Sequence, residues 1–182
     1  ITKVAPRAVN VASPYFVGHM TSAIPFFMVH LKAITAALNQ NLIKLETSKV
    51  LSVIEKQVLA KIHRLVFKRS PVFYKAHVQN ARSALGSFTT GGTTANLTAL
   101  WVARNRAFGP AGTFRGIEKE GWLAASRAHG VERAVVLVSK RGHYSIRKAA
   151  GILGLGSDQV IPIDVGPDRT IDLTALETTI QT

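Results

Sequence analysis

An α/β fold with a parallel sheet is predicted from three observations. Ala134-Val135-Val136-Leu137-Val138 is an unbroken apolar run rich in valine, as in a strand buried on both faces. Ser87-Phe88-Thr89-Thr90-Gly91-Gly92-Thr93-Thr94 reads as a strand end, a tight glycine turn and the first turn of a helix. From that turn onward strand and helix patterns alternate, and such alternation builds a parallel sheet with flanking helices.

The elements follow in order. Residues 1 to about 23 are irregular, with Ser13-Pro14 and Gly18 as breakers. Ile24-Pro25 to about Asn39 forms a helix, with Pro25 suited to its first turn. Its apolar residues surround most of the axis, as expected for a helix buried in a core or an interface. Asn39-Gln40-Asn41 interrupts the pattern with three amides. Ser48 looks like an N-cap for a helix carrying the stripe Leu51, Ile54, Val58, Ile62 and Leu65. Pro71 stops that helix, and a loop to about Ala84 follows. His77 in that loop has no second ligand at metal spacing.

Leu85 to Thr90 is predicted as a short strand feeding the glycine turn. A helix runs from Thr93 to about Phe108, and Gly109-Pro110-Ala111-Gly112 closes it. Glu118 to His129 forms a further helix ended by Gly130. After the Ala134–Val138 strand, Ile146 to Leu153 is a helix and Val160 to Ile163 a strand. Asp172 caps a last helix that begins at Leu173. The domain division read from this order is a helical segment over residues 1–70 and an α/β part over 71–182.

The 182 residues include 47% apolar types, enough for a folded core, and no cysteine. Without cysteine, disulfides, thiolate chemistry and Cys-ligated metals are excluded, and the composition fits a cytoplasmic protein. No apolar run approaches the ~18 residues of a membrane span. Ile1 to Pro6 shows neither an initiating Met nor a signal-peptide pattern, so the chain reads as part of something longer. The formal charge is +13, and no acid lies between Glu55 and Glu118. A nucleic-acid surface is one reading of that charge, giving a basic binding module without catalysis. The cations are nevertheless spaced singly along helices, unlike a dense basic arm.

The chemistry centres on two places. A helix N-terminus offers unpaired N–H groups and about half a positive charge. Gly91 to Thr94 is therefore either an anion cup or an ordinary capped turn. No Walker lysine follows Gly92, and the glycines lack dinucleotide spacing. His143 follows the Ala134–Val138 strand closely, where α/β sheets bind ligands, and its flat ring can stack on a heteroaromatic ring.

Ser87 to Leu100 resembles the phosphate-binding segment of the group II pyridoxal-phosphate-dependent amino-acid decarboxylases. Ser139 to Gly156, with His143-Tyr144-Ser145-Ile146-Arg147-Lys148, resembles the segment that carries the cofactor-stacking histidine of that family. Ser13-Pro14-Tyr15-Phe16, Asn39-Gln40-Asn41 and Glu46-Thr47-Ser48 resemble its N-terminal region. The resemblance spans nearly the whole chain, in order, and within the family is nearest to the glutamate and aspartate decarboxylases.

It implies the large domain of a fold-type I pyridoxal-phosphate enzyme, here incomplete, preceded by a helical N-terminal segment. It further implies a homodimeric lyase of amino-acid metabolism, with neither nucleic acid nor membrane as partner. Gly91, Gly92 and Thr93 are implied to hold the phosphate. His143 is implied to stack on the cofactor ring and assist protonation. His19, Asn39 and Asn41 fall where relatives contact the substrate's distal carboxylate, although relatives often carry Gln where His19 stands. The lysine and the aspartate that hold the cofactor in this family fall beyond Thr182. The piece alone is therefore expected to be inactive. Asp164 reads as structural or as a loop cap. Another fold-type I enzyme, a lyase or a transaminase, is the alternative within the same fold; His143-Tyr144-Ser145 favours the decarboxylases.

Overall fold

The computed structural model describes residues 5–18, 20 and 23–181. It divides into two compact units, with the boundary between Gly86 and Ser87.

The first unit is helical. Helix α1 spans Phe27–Leu38, and Asn39 ends it in the left-handed conformation (φ 41°) with its N–H on the Thr35 carbonyl, 3.0 Å away. Of the core or interface burial expected of this helix, no core burial is found among the described residues. None of its residues is buried, and Phe27 and Ile34 are each about half exposed, at 51% and 55%. The apolar period correctly marked a helix, but the surface that would cover it lies outside the described packing.

Helix α2 covers Leu45–Ser48 and α3 covers Val50–Phe67. The expected Ser48 cap is not formed. Lys49 occupies the N-cap position at φ 45° and makes no side-chain cap bond. Ser48 is buried and its hydroxyl donates to the Lys44 carbonyl, 3.0 Å away, instead of accepting a helix amide. It also bonds Ser52, whose hydroxyl lies 2.8 Å from the Leu42 carbonyl. Serine hydroxyls bond backward to carbonyls as readily as they cap, and the closed turn selects the former.

Helix α4, Pro71–His77, stands where a loop was expected. Proline stops one helix and suits the first turn of the next. Ser70 caps α4 by accepting the Phe73 N–H at 3.2 Å. Tyr74 is 3% exposed, bonds His63 Nδ1 at 2.9 Å, and lies under the Arg64 guanidinium. His77 is half-buried against Phe73 and Ser83.

The second unit holds α5 (Gly92–Ala107), α6 (Ile117–His129), β1 (Val136–Ser139), α7 (Ser145–Ile152), β2 (Val160–Ile163) and α8 (Leu173–Gln181). Strands β1 and β2 pair in parallel, from Val136 opposite Val160 to Ser139 opposite Ile163. Helix α7 is the crossover between them, so the βαβ expectation holds. Asp172 caps α8 as expected, accepting the Thr174 and Ala175 amides at 2.9 and 3.1 Å. Helix α6 is broken at Gly121, whose φ of 76° no sequence signal announced.

The strand expected over Leu85–Thr90 is not formed among the described residues. Among the described residues no neighbouring strand pairs with the segment, and a strand exists only through its ladder. The core is made by Phe114, Ile117 and Ala125, with Phe108 and Trp122 against them. Ala149 and Ala150 of α7 are fully buried, and their small side chains let α7 lie close against α5. Arg104 of α5 reaches across to the Leu153 carbonyl at 2.8 Å, satisfying an orphan acceptor past the end of α7. Among the described residues no helix is long and apolar enough to cross a membrane, and no three His, Cys, Asp or Glu cluster as metal ligands.

Candidate functional site

The glycine turn is built for close approach. Gly91 is the N-cap of α5 at φ 87°, ψ 164°, a conformation that strains any residue with a Cβ. A Cβ placed on Gly91 or Gly92 would meet nothing within 4 Å, so the backbone there is open to a ligand. No side chain caps the first-turn amides. The Ala95 N–H donates to the Gly91 carbonyl at 3.2 Å, so the N–H groups of Gly92, Thr93 and Thr94 precede the first helical bond and have no intrahelical acceptor. Thr94 bonds the Thr90 carbonyl at 3.1 Å and Thr89 the Gly91 carbonyl at 3.4 Å. Among the described residues the Thr93 hydroxyl has no protein partner and remains available.

His143 sits on the turn leaving β1. That turn is tight: the Gly142 N–H reaches the Ser139 carbonyl at 2.6 Å, and a Cβ on Gly142 would lie 2.6 Å from Val138 Cγ2. The His143 ring lies against Tyr144, centroids 4.2 Å apart. It borders a cleft of ≈ 370 Å³ that Lys140, Arg147 and Pro162 also line. Lys140 and Asp164 form an exposed ion pair at 2.9 Å, so Asp164 is occupied at the strand end.

The two places are joined. His143 Nδ1 lies 2.8 Å from the Ser145 hydroxyl, and Asn96 Nδ2 lies 2.7 Å from the same oxygen. Asn96 is on α5, four residues past Gly92 and so on the same face as the glycine turn. A strand was expected before the glycine turn as before His143; only His143 follows one, and helix packing with two hydrogen bonds links the cup to the histidine. Sequence reasoning missed Asn96 and Ser145. The available signals were an amide one turn into a largely apolar helix and a hydroxyl two residues after the histidine.

The other sequence-predicted residues fall in the first unit or outside the described residues. His19 lies outside the described residues. Asn39 caps α1, and the Asn41 side-chain oxygen accepts the Ile43 N–H at 3.0 Å; both belong to the first unit.

No protein-family model matches the chain. It is 47% identical over 171 residues to an aspartate 1-decarboxylase of Aliivibrio fischeri, covering 94% of this chain and 31% of the relative. It is 30% identical to an L-2,4-diaminobutyrate decarboxylase of Rhizobium meliloti, over 94% of this chain and 28% of that protein. In fold it matches the glutamate decarboxylase domain of a diaminobutyrate-pyruvate transaminase and L-2,4-diaminobutyrate decarboxylase from Vibrio parahaemolyticus. That match has a TM-score of 0.69 at 24% identity and covers 98% of this chain and 35% of the other. The chain thus spans about a third of the length of the relatives it matches. In sequence it is related to the group II pyridoxal-phosphate-dependent amino-acid decarboxylases, and its fold is part of the fold-type I fold that they share.

Proposed function

We propose that the protein of which this chain is a part decarboxylates an amino acid with pyridoxal 5'-phosphate, the substrate being aspartate or glutamate. The observation that carries this reading is the hydrogen-bonded link from the uncapped glycine turn to His143. Its support is the 47% identity to an aspartate 1-decarboxylase across nearly the whole chain.

The donor set fits a phosphate monoester. The Gly92 and Thr93 amides, the Thr93 hydroxyl and the α5 dipole all favour an anion, and the Gly91 turn opens the helix toward it. When bound, the cofactor supplies a ring that takes up the electron pair left as carbon dioxide departs. His143 offers a flat face to that ring and a nitrogen that can hold a proton for return to the substrate carbon. His19, Asn39 and Asn41 are proposed to contact the distal carboxylate of an acidic substrate. We assign the working form as a cytoplasmic homodimer. The exposed apolar residues of α1 support an interface, and the absence of cysteine fits a reducing compartment.

The test is an assay of the full-length protein, loaded with the cofactor, for carbon dioxide release from aspartate and glutamate. Release is expected from at least one of them. Amino-group transfer without release would overturn the reading and leave a transaminase.

A further inference from the structure

We propose that Asn96 and Ser145 are positioning residues that fix the proton of His143 on Nε2. The use of that proton rests on the role given to His143 above; its location rests on the hydrogen bonds alone.

Two groups approach His143 Nδ1. One is the Ser145 backbone N–H at 3.3 Å, which can only donate. The other is the Ser145 hydroxyl at 2.8 Å. Accepting from that amide favours a bare Nδ1 and so a proton on Nε2 of the neutral ring, but at 3.3 Å this is the weaker of the two contacts and the hydroxyl decides. The hydroxyl agrees with this. Ser145 Oγ has one proton, and Asn96 Nδ2 at 2.7 Å donates to it. The serine proton is then free to point at Nδ1. Donation runs one way, from the Asn96 amide to the Ser145 hydroxyl to His143.

The opposite amide orientation would draw the serine proton toward Asn96. It would leave Nδ1 with only the long amide contact. A proton on Nδ1 would face the Ser145 N–H directly. Ser145 is fully buried, so water does not replace either partner. The relay also has a mechanical consequence. Asn96 shares a face of α5 with Gly92, so the ring is held in register with whatever occupies the cup.

The test is 15N NMR of the full-length protein with labelled histidine, His143 being assigned by its loss in His143→Gln. In the parent protein Nδ1 is expected to resonate as a bare nitrogen and Nε2 as a protonated one. Ser145→Ala removes the short bond, and both signals should move toward the average of mixed tautomers. Asn96→Asp supplies a group that only accepts. The serine proton should turn to the introduced carboxylate, and the Nδ1 signal should become that of a protonated nitrogen.

These signals are read without cofactor or substrate. A protein that shows the expected tautomers but releases no carbon dioxide refutes the enzymatic reading and leaves the relay standing. A protein that decarboxylates yet keeps the parent signals in both variants overturns the relay. So does a parent protein whose Nδ1 carries the proton.

Discussion

The two units use apolar residues in different ways. In the second unit Ile117, Ala125, Ala149, Val160 and Ile163 are buried, and polar partners tie α5 to α7. In the first unit the stripes have the right period, yet Ile34, Ile54, Val58 and Ile62 are each more than a third exposed. Only Ser48, Ala60 and Tyr74 are buried among its described residues. A helical period therefore reports that a face wants a partner, and only packing reports where the partner is. The second unit satisfies its own faces and so can hold site geometry. The first presents faces that a further surface must cover.

Substitutions can break or sharpen this contrast, and the largest effect should fall on chemistry. His143→Ala in the full-length enzyme should lower the decarboxylation rate by about 10²–10⁴-fold, the usual worth of a proton-transferring group. Steady-state assays check it; a loss under tenfold would remove His143 from proton transfer. Next in size, Ile163→Ala should cost about 2–5 kcal/mol in urea unfolding, because Ile163 is 2% exposed. Ile34→Ala, half exposed, should cost within about 0.5 kcal/mol in this chain. Equal costs at the two positions would erase the distinction between the units.

The glycine pair gives a smaller contrast. Gly91→Ala should destabilise by about 1–2 kcal/mol because its φ is positive. Gly92→Ala, at an ordinary φ in the first turn of α5, should not destabilise and can gain about 0.5–1 kcal/mol. Thermal unfolding of both variants separates strain from space. The smallest effect belongs to Glu120. The Arg115 N–H, and then its guanidinium, hold the Glu120 carboxyl below its usual range. A lowered carboxyl adds stability above its unfolded pKa, and that stability is lost as pH falls through the folded value. Glu120→Gln should therefore flatten the acid limb of the stability profile by slightly lowering the neutral region, with the acid end unchanged. A steeper acid limb would contradict the sign.

What the sequence made legible was local. The stripe of α3, the runs that became β1 and β2, and the Asp172 cap each depend on residues within a few positions of one another. The glycine turn that opens α5 was legible because glycine conformation and a following helix are both local signals. What escaped depended on distant partners or competing local choices. Ser48 could cap or bond backward, and the Ser52–Leu42 closure decided. Residues 85–90 have the composition of a strand, but a ladder needs a neighbour. Asn96 and Ser145 meet across 49 residues, through a helix contact made possible by Ala149 and Ala150. No spacing rule anticipates that pair.

The central claim is that the Gly91–Thr93 turn holds the phosphate of the cofactor. The direct measurement compares the affinities of full-length wild type and Gly92→Asp for pyridoxal 5'-phosphate and for pyridoxal. A carboxylate at the first position of α5 suits the helix dipole but repels a second anion. The predicted result is a loss of at least about tenfold for the phosphorylated ligand, the worth of one charge-assisted hydrogen bond, with pyridoxal affinity unchanged. Equal weakening of both ligands, or none for either, would contradict it.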